Sequence, residues 1–263
     1  MASEMRELAE RYRSAIEEQG TPTQRGKFFE KLALSYLTES RYHPSEECLQ
    51  LAELAFSEIR DSPDLPDVSH IRFVLGLIHL WRGNFAEAVE HCTAALHLAE
   101  RCGDLVTRAR CLTYLAMAHR CAHHLEQARN CAAQTLELAT KIGMIEYVAM
   151  AKANLAWVAW RDGNSEEAEM LGRDALELWH GMEDPYSFDW AALWPLIAVA
   201  FSQNDIACAI EHTRALFVEN QHPLPQKLAS ITQKAIQSWE NNPETAHADL
   251  EHALQTAQEL GQL

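Results

Sequence analysis

The sequence predicts an all-α solenoid of about six helix pairs preceded by an N-terminal helix, and three observations carry that prediction. The first is a period. The stretch Gly83-Asn84-Phe85-Ala86-Glu87-Ala88 has counterparts ending at Ala128, Ala168 and Ala209, at steps of 40, 40 and 41 residues. A backward step of 40 from Ala88 reaches Cys48, and a forward step of 37 from Ala209 reaches Ala246. A fixed period of this size marks a stack of like supersecondary units, each burying its face on its neighbours. The second observation is that apolar residues between these stretches recur every three to four positions, the spacing of one helix face. The third is composition: 10 Gly and 9 Pro in 263 residues leave little room for strands and turns, while Ala, Leu and Glu dominate the periodic segments.

In chain order, residues 4–19 read as an amphipathic helix with Met5, Leu8, Tyr12, Ala15 and Ile16 on one stripe, ended by Gly20-Thr21-Pro22. A helix over about 24–41 follows, and Pro44 opens another that runs to about Ile59. The run Asp61-Ser62-Pro63-Asp64-Leu65-Pro66 breaks the pattern before the regular array. Pairs are then expected at about 68–82 with 85–102, 105–122 with 125–142, and 145–162 with 165–181. Gly103 and Gly143 stand between pairs, where a left-handed residue closes a helix. In the fifth pair Pro195 removes a helical hydrogen bond, so its first helix either kinks there or starts late. A more polar last pair, about 225–239 and 244–260, ends on Gly261. The expected organisation is one solenoid over 1–263: N-terminal helices and first pair in 1–62, regular repeats in 67–220, and a capping pair in 223–263.

Charge and composition exclude several classes. A formal net charge of −16 argues against a nucleic-acid backbone or an anionic membrane as the main partner. The seven cysteines contain no CxxC pair and all fall in expected helices, as idle thiols of a reducing compartment do. The longest apolar run, Ala191 to Phe201, is interrupted by Pro195 and falls far short of the ~20 residues of a membrane span. The chain begins in charged helix rather than an apolar signal core, so the expectation is a soluble, cytoplasmic protein.

Within each unit, small residues recur 12 and 19 positions after a third one: Gly76, Ala88 and Ala95; Ala116, Ala128 and Thr135; Ala156, Ala168 and Ala175. Leu75, Leu115 and Leu155 precede the first of each set. This arrangement resembles the tetratricopeptide repeat, with Leu-Gly early in one helix and alanines in the next, over roughly residues 24–261. The 40-residue spacing is similar to the long-helix variety found in sensor and scaffold regions of large regulators. The family's usual aromatic positions are taken here by His79, His119 and Ala159. The resemblance implies a right-handed superhelix whose first helices line a concave groove.

By spacing from Gly76, Ala116 and Ala156, that groove would present Phe73, Leu77, Trp81, Arg110, Tyr114, Met117, Arg120, Asn154, Trp157, Trp160 and Arg161, with Trp194 from the fifth pair. An apolar patch of this kind on a solvent-facing surface marks a binding site, unless the aromatic residues pack on one another. Charge is also partitioned. Segments 70–82, 105–121 and 147–161 hold seven Lys or Arg (Arg72, Arg82, Arg108, Arg110, Arg120, Lys152, Arg161) and no Asp or Glu, whereas 85–102, 125–142 and 165–180 hold ten acids against four bases. An acid-free inner layer would be locally positive and favour anionic groups. Of the Lys and Asn clamp with which some family members grip a C-terminal carboxylate, only Asn154 has a counterpart.

Catalytic and metal chemistry find no pattern. His119 and His123 are four apart, as two zinc ligands are, but their helix carries no acid to complete HExxH. No Gly-rich phosphate loop, nucleophile elbow or inward carboxylate pair is present. The expectation is a non-catalytic scaffold without cofactor, holding a protein or peptide partner of apolar and acidic character. The alternative is a ligand-sensing domain of a larger regulator. It would bind a small anionic or sugar-like molecule on the Trp157, Trp160 and Trp194 face, with the aromatic segment 186–190 folded over it.

Overall fold

A computed structural model describes residues 2–263, with the side chains of 2–7, 10 and 243 outside the description. Met5, expected on the stripe of the first helix, is among those. The described residues form helices and no strands: α1 (Ala2–Gln19), α2 (Pro22–Glu39), α3 (Glu46–Ile59), α4 (Leu65–Trp81), α5 (Phe85–Cys102), α6 (Leu105–Cys121), α7 (Leu125–Ile142), α8 (Ile145–Arg161), α9 (Ser165–His180), α10 (Trp190–Ser202), α11 (Ile206–Ala215), α12 (Gln226–Asn241) and α13 (Pro243–Glu259). These are an N-terminal helix and six successive pairs. The chain divides into two compact units, Met1–Ala118 and His119–Leu263.

In the first unit, helix starts follow local capping chemistry. Thr21 and Gln24 form a reciprocal capping box ahead of α2, with Pro22 in its first turn. Ser45 caps α3, so that helix begins after Pro44 rather than at it. Asp64 caps α4 with Pro66 in its first turn, so the expected break supplies a start and α4 begins three residues earlier than 68. The stripe expected on α1 is not buried: Leu8 and Tyr12 are 55% and 53% exposed. The small-residue sets do sit where helices close on one another. Leu75, Gly76, Ala88 and Ala95 are buried, and a Cβ on Gly76 would stand 2.7 Å from Cys92 Sγ. Their counterparts are buried as well, Leu155 alone being half-buried.

The α2–α3 turn has two left-handed residues, Arg41 and Tyr42, whereas the turn within each of the four central pairs has one. Gly83 and Gly163 supply it at φ 80° without cost, while His123 (φ 58°) and Asn204 (φ 60°) take it at equivalent positions. Between pairs, Gly103 and Gly143 close α5 and α7 at φ 73° and 75°. The rule lapses after α9, where Gly181 is right-handed (φ −81°) and the chain runs irregularly to Trp190. Of the two outcomes open for Pro195, the structure takes the late start: α10 begins at Trp190, with Pro195 inside it.

Candidate binding site

In the first unit, the expected site residues form part of the packed interior. Phe73, Leu77, Tyr114 and Met117 are 3%, 7%, 7% and 1% exposed, and the rings of Phe73 and Tyr114 lie 5.7 Å apart. Trp81 is half-buried against Tyr42, with ring centroids 5.4 Å apart, and Arg110 is half-buried. The expected positive layer is partly neutralised by acids. Arg82 reaches Glu46 at 2.7 Å and Arg108 reaches Glu100 at 3.7 Å. In the second unit Lys152 pairs with Asp174. Helix pairing brings bases of one layer against acids of the other, so much of the charge partition is spent on ion pairs between layers.

In the second unit Arg120, in the last turn of α6, lies against Trp157, while Trp160 packs elsewhere, against Ala159, Ala168 and Val199. Its guanidinium is fully buried and lies 5.8 Å from the Trp157 ring and 5.4 Å from the Trp190 ring. Arg161, exposed at the end of α8, covers Trp157 at 5.4 Å. Trp157 and Trp194 have no exposed surface, Trp160 is half-buried, and Asn154 lies one turn before Trp157 on α8. Burial lowers the pKa of Arg120 to about 10, which leaves it charged at neutral pH.

The hydrogen bonds of Arg120 explain how a lone guanidinium is held there. Nη1 donates to the carbonyl of Ala191 at 2.7 Å, and Nη2 donates to the carbonyl of Gln262 at 2.8 Å. Ala191 lies four residues before Pro195, so its carbonyl has no helical amide to accept from, and Arg120 supplies the missing donor. Gln262 lies past the end of α13, in a short tail. There Gly261 is left-handed at φ 69° and buried, and Leu263 has no exposed surface.

Several polar groups of this unit are buried without a hydrogen-bond partner in the protein: the donors Arg120 Nε and the indole N–H groups of Trp157, Trp190 and Trp194, both ends of the Asn154 amide, and the acceptor Gln262 Oε1. Buried polar groups in folded proteins are nearly always paired, so this set is where the structure leaves hydrogen-bonding capacity open. Sequence reasoning named four of its members, Arg120, Asn154, Trp157 and Trp194. It missed Trp190, whose place in the connection to the fifth pair hid its helical register, and the tail, which no local pattern assigns to Arg120.

The sensing alternative needs the aromatic segment 186–190 folded over the Trp157, Trp160 and Trp194 face, and of that segment Trp190 lies at Arg120. Tyr186 instead stacks on Trp179 at 5.1 Å, and Gln221 holds the segment by two hydrogen bonds. The repeat itself carried a signal for Trp179, since Ala99 and Ala139 stand 80 and 40 residues before it. His119 and His124 face each other at 3.4 Å through their Nδ1 atoms. Among the described residues no group of three His, Cys, Asp or Glu is arranged to hold a metal ion, and no helix is long and apolar enough to cross a membrane.

Family profiles described as tetratricopeptide repeat match residues 67–141 and 148–180, the stretches that form α4 to α9. The chain carries tetratricopeptide repeats. Their paired helices and buried small residues are those described above. Among curated proteins none matches the sequence. Among solved structures the repeats resemble BtubC (BKLC) from P. vanneervenii at 19% identity and a TM-score of 0.60, over 86% of this chain and 92% of that one. They also resemble the apo form of RapI at 15% identity and a TM-score of 0.62, over 95% and 68% of the two chains. A Rap protein complexed with Competence and Sporulation Factor is similar at 14% identity and a TM-score of 0.66, over 94% and 68%. At such identities the likeness is one of fold, a helical solenoid.

Proposed function

We propose that the chain is a non-catalytic scaffold that binds a protein or peptide partner through the Arg120 centre of its second unit. The observation that supports this is the set of buried donors around Arg120. They have no hydrogen-bond partner within the protein, while Arg120 already grips the main-chain carbonyl of Gln262. A partner segment with carbonyl or carboxylate oxygens and an apolar side chain would satisfy these donors and fill the space among the rings. Residues 260–263 stand in for such a segment and leave when the partner arrives. The fit agrees with the fold, since a Rap protein of the same architecture is complexed with Competence and Sporulation Factor. Arg161, exposed beside Trp157, would meet an acidic group of the partner at the rim.

The test uses a chain ending at residue 259 and a labelled peptide with the sequence of residues 256–263, measured by fluorescence anisotropy. The peptide binds, and a Gln262→Glu version binds more tightly. Trp157→Ala and Arg161→Glu chains each weaken binding. Loss of an aromatic anchor at the centre of a site commonly costs ~2 kcal/mol or more. Unchanged affinity in both variants, with helical content intact by circular dichroism, overturns the reading.

A further inference from the structure

The substitution of Trp179 for the alanines of the earlier repeats opens a second place in the same unit. A tryptophan cannot pass at the helix spacing that Ala99 and Ala139 allow, and α9 ends one residue later, at His180. Residues 181–189 then run without helix and are fixed by polar contacts. The Gln221 side chain accepts from the amide of Asp189 and donates to the carbonyl of Tyr186, each at 2.8 Å. The amide of His222 donates to the carbonyl of Ser187 at 2.7 Å. The Trp179 indole is itself pinned to the carbonyl of Glu146 at 3.2 Å.

Between this segment, α9 and α11 lies a pocket of about 460 Å³, a size that suits a small organic ligand. Its walls are mainly apolar and aromatic, with the stacked Trp179 and Tyr186 on one side and Leu193 and Val218 among the others. No Lys or Arg lines it. Its one carboxylate is Asp189, which is 8% exposed. Oδ2 lies 3.0 Å from Nε2 of His180, at the exposed rim, and Oδ1 has no hydrogen-bond partner. The Asp189 carboxyl is raised above the usual range by burial, against the opposing pull of His180. His212, also in the lining, is lowered by burial and is therefore neutral at pH 7.

We infer that this pocket is a binding site for a small organic amine with a flat apolar body, its ammonium group against Asp189 and its body on the Trp179 and Tyr186 rings. Oδ1 of the buried carboxylate lacks a donor and no Lys or Arg faces it, and an ammonium supplies both a donor and a charge. Aromatic faces attract the same charge. An anion meets no basic side chain here, and a polyol would leave most of its hydroxyls unpaired against apolar walls. Asp189 and Leu193 form a stripe of α10 beside the one carrying Trp190 and Trp194, so this site is separate from the Arg120 centre.

Titration of the full chain with phenethylamine, followed by the indole N–H resonance of Trp179, tests the inference. Phenethylamine shifts that resonance to saturation at pH 7, whereas 3-phenylpropionate and D-glucose do not. Asp189→Asn weakens phenethylamine binding at least about tenfold, the loss expected for a hydrogen bond to a charged group. Ala215→Phe fills the pocket without touching Asp189 and removes binding. No response to phenethylamine, equal binding of 3-phenylpropionate, or an unaltered affinity in both pocket variants overturns the inference.

Discussion

Arg120 replaces the amide proton that Pro195 lacks. Its Nη1 sits 2.7 Å from the carbonyl of Ala191, the acceptor that residue 195 would serve in an unbroken helix. A proline in the second turn of a buried helix and a guanidinium buried without a carboxylate would each be costly alone. Together they satisfy one another, and the pair fixes α10 to the end of α6.

A double-mutant cycle measures that relationship. Arg120→Met leaves two buried carbonyls unmet and is expected to cost about 2–4 kcal/mol. Pro195→Ala restores an amide to Ala191, so Arg120→Met costs about 1 kcal/mol less in that background. Urea denaturation of the four proteins gives the coupling. Strict additivity would mean that the two residues do not share the Ala191 carbonyl.

Gly261 is expected to be intolerant of any side chain. A Cβ there would stand 2.6 Å from the carbonyl oxygen of Cys121, and the residue is left-handed at φ 69°. Gly261→Ala therefore expels the tail from Arg120, destabilises the chain by about 1–3 kcal/mol and speeds proteolysis after residue 259. Gly163→Ala is the control, since it shares the positive φ but meets nothing within 4 Å, and it costs about 1 kcal/mol.

Gly76 and Gly172 should differ although both are buried helical glycines. The Cβ of Gly76→Ala would meet Cys92 Sγ at 2.7 Å and the Cys92 backbone nitrogen at 3.1 Å, which can yield only if the helices part. At Gly172 the contact is the Leu196 side chain at 2.9 Å, which can move. Gly76→Ala is expected to lose about 1–3 kcal/mol and Gly76→Leu more, with Gly172→Ala less affected. Thermal melts that rank them the other way would place the α4 and α5 contact wrongly.

Acid should destabilise the first unit in two windows. Burial lowers the pKa of His79, whose ring stacks on His91 at 5.4 Å; burial, then the charges of His79 and Arg72, lower His91. A lowered histidine stabilises fully above its unfolded value, about 6.5, and that contribution is lost as pH falls through the folded value. Burial raises the Glu30 carboxyl, but His70 at 3.2 Å and Lys31 outweigh it and hold the pKa below the usual range. Its contribution is complete above about pH 4.3 and disappears as pH falls further. Urea midpoints from pH 7.5 to 3 should therefore fall in two steps. His91→Phe flattens the upper step and Glu30→Gln the lower.

The sequence alone determined the helices, their pairing order and the small residues on which they close. Each of these follows from local spacing: 3.6-residue periodicity, turn residues at a fixed interval, and Gly76, Ala116 and Ala156 at steps of 40. It also carried the departure at Trp179, which only comparison with Ala99 and Ala139 reveals. Tertiary structure decided whether the aromatic stripe is open. Trp157 and Trp194 read as exposed from their positions in the repeat, yet both are buried, Trp157 against Arg120, whose partners lie 71 and 142 residues away. No periodic pattern encodes contacts of that separation, because they depend on where α10, with Pro195 inside it, lies against α6 and where the residues beyond α13 come to rest.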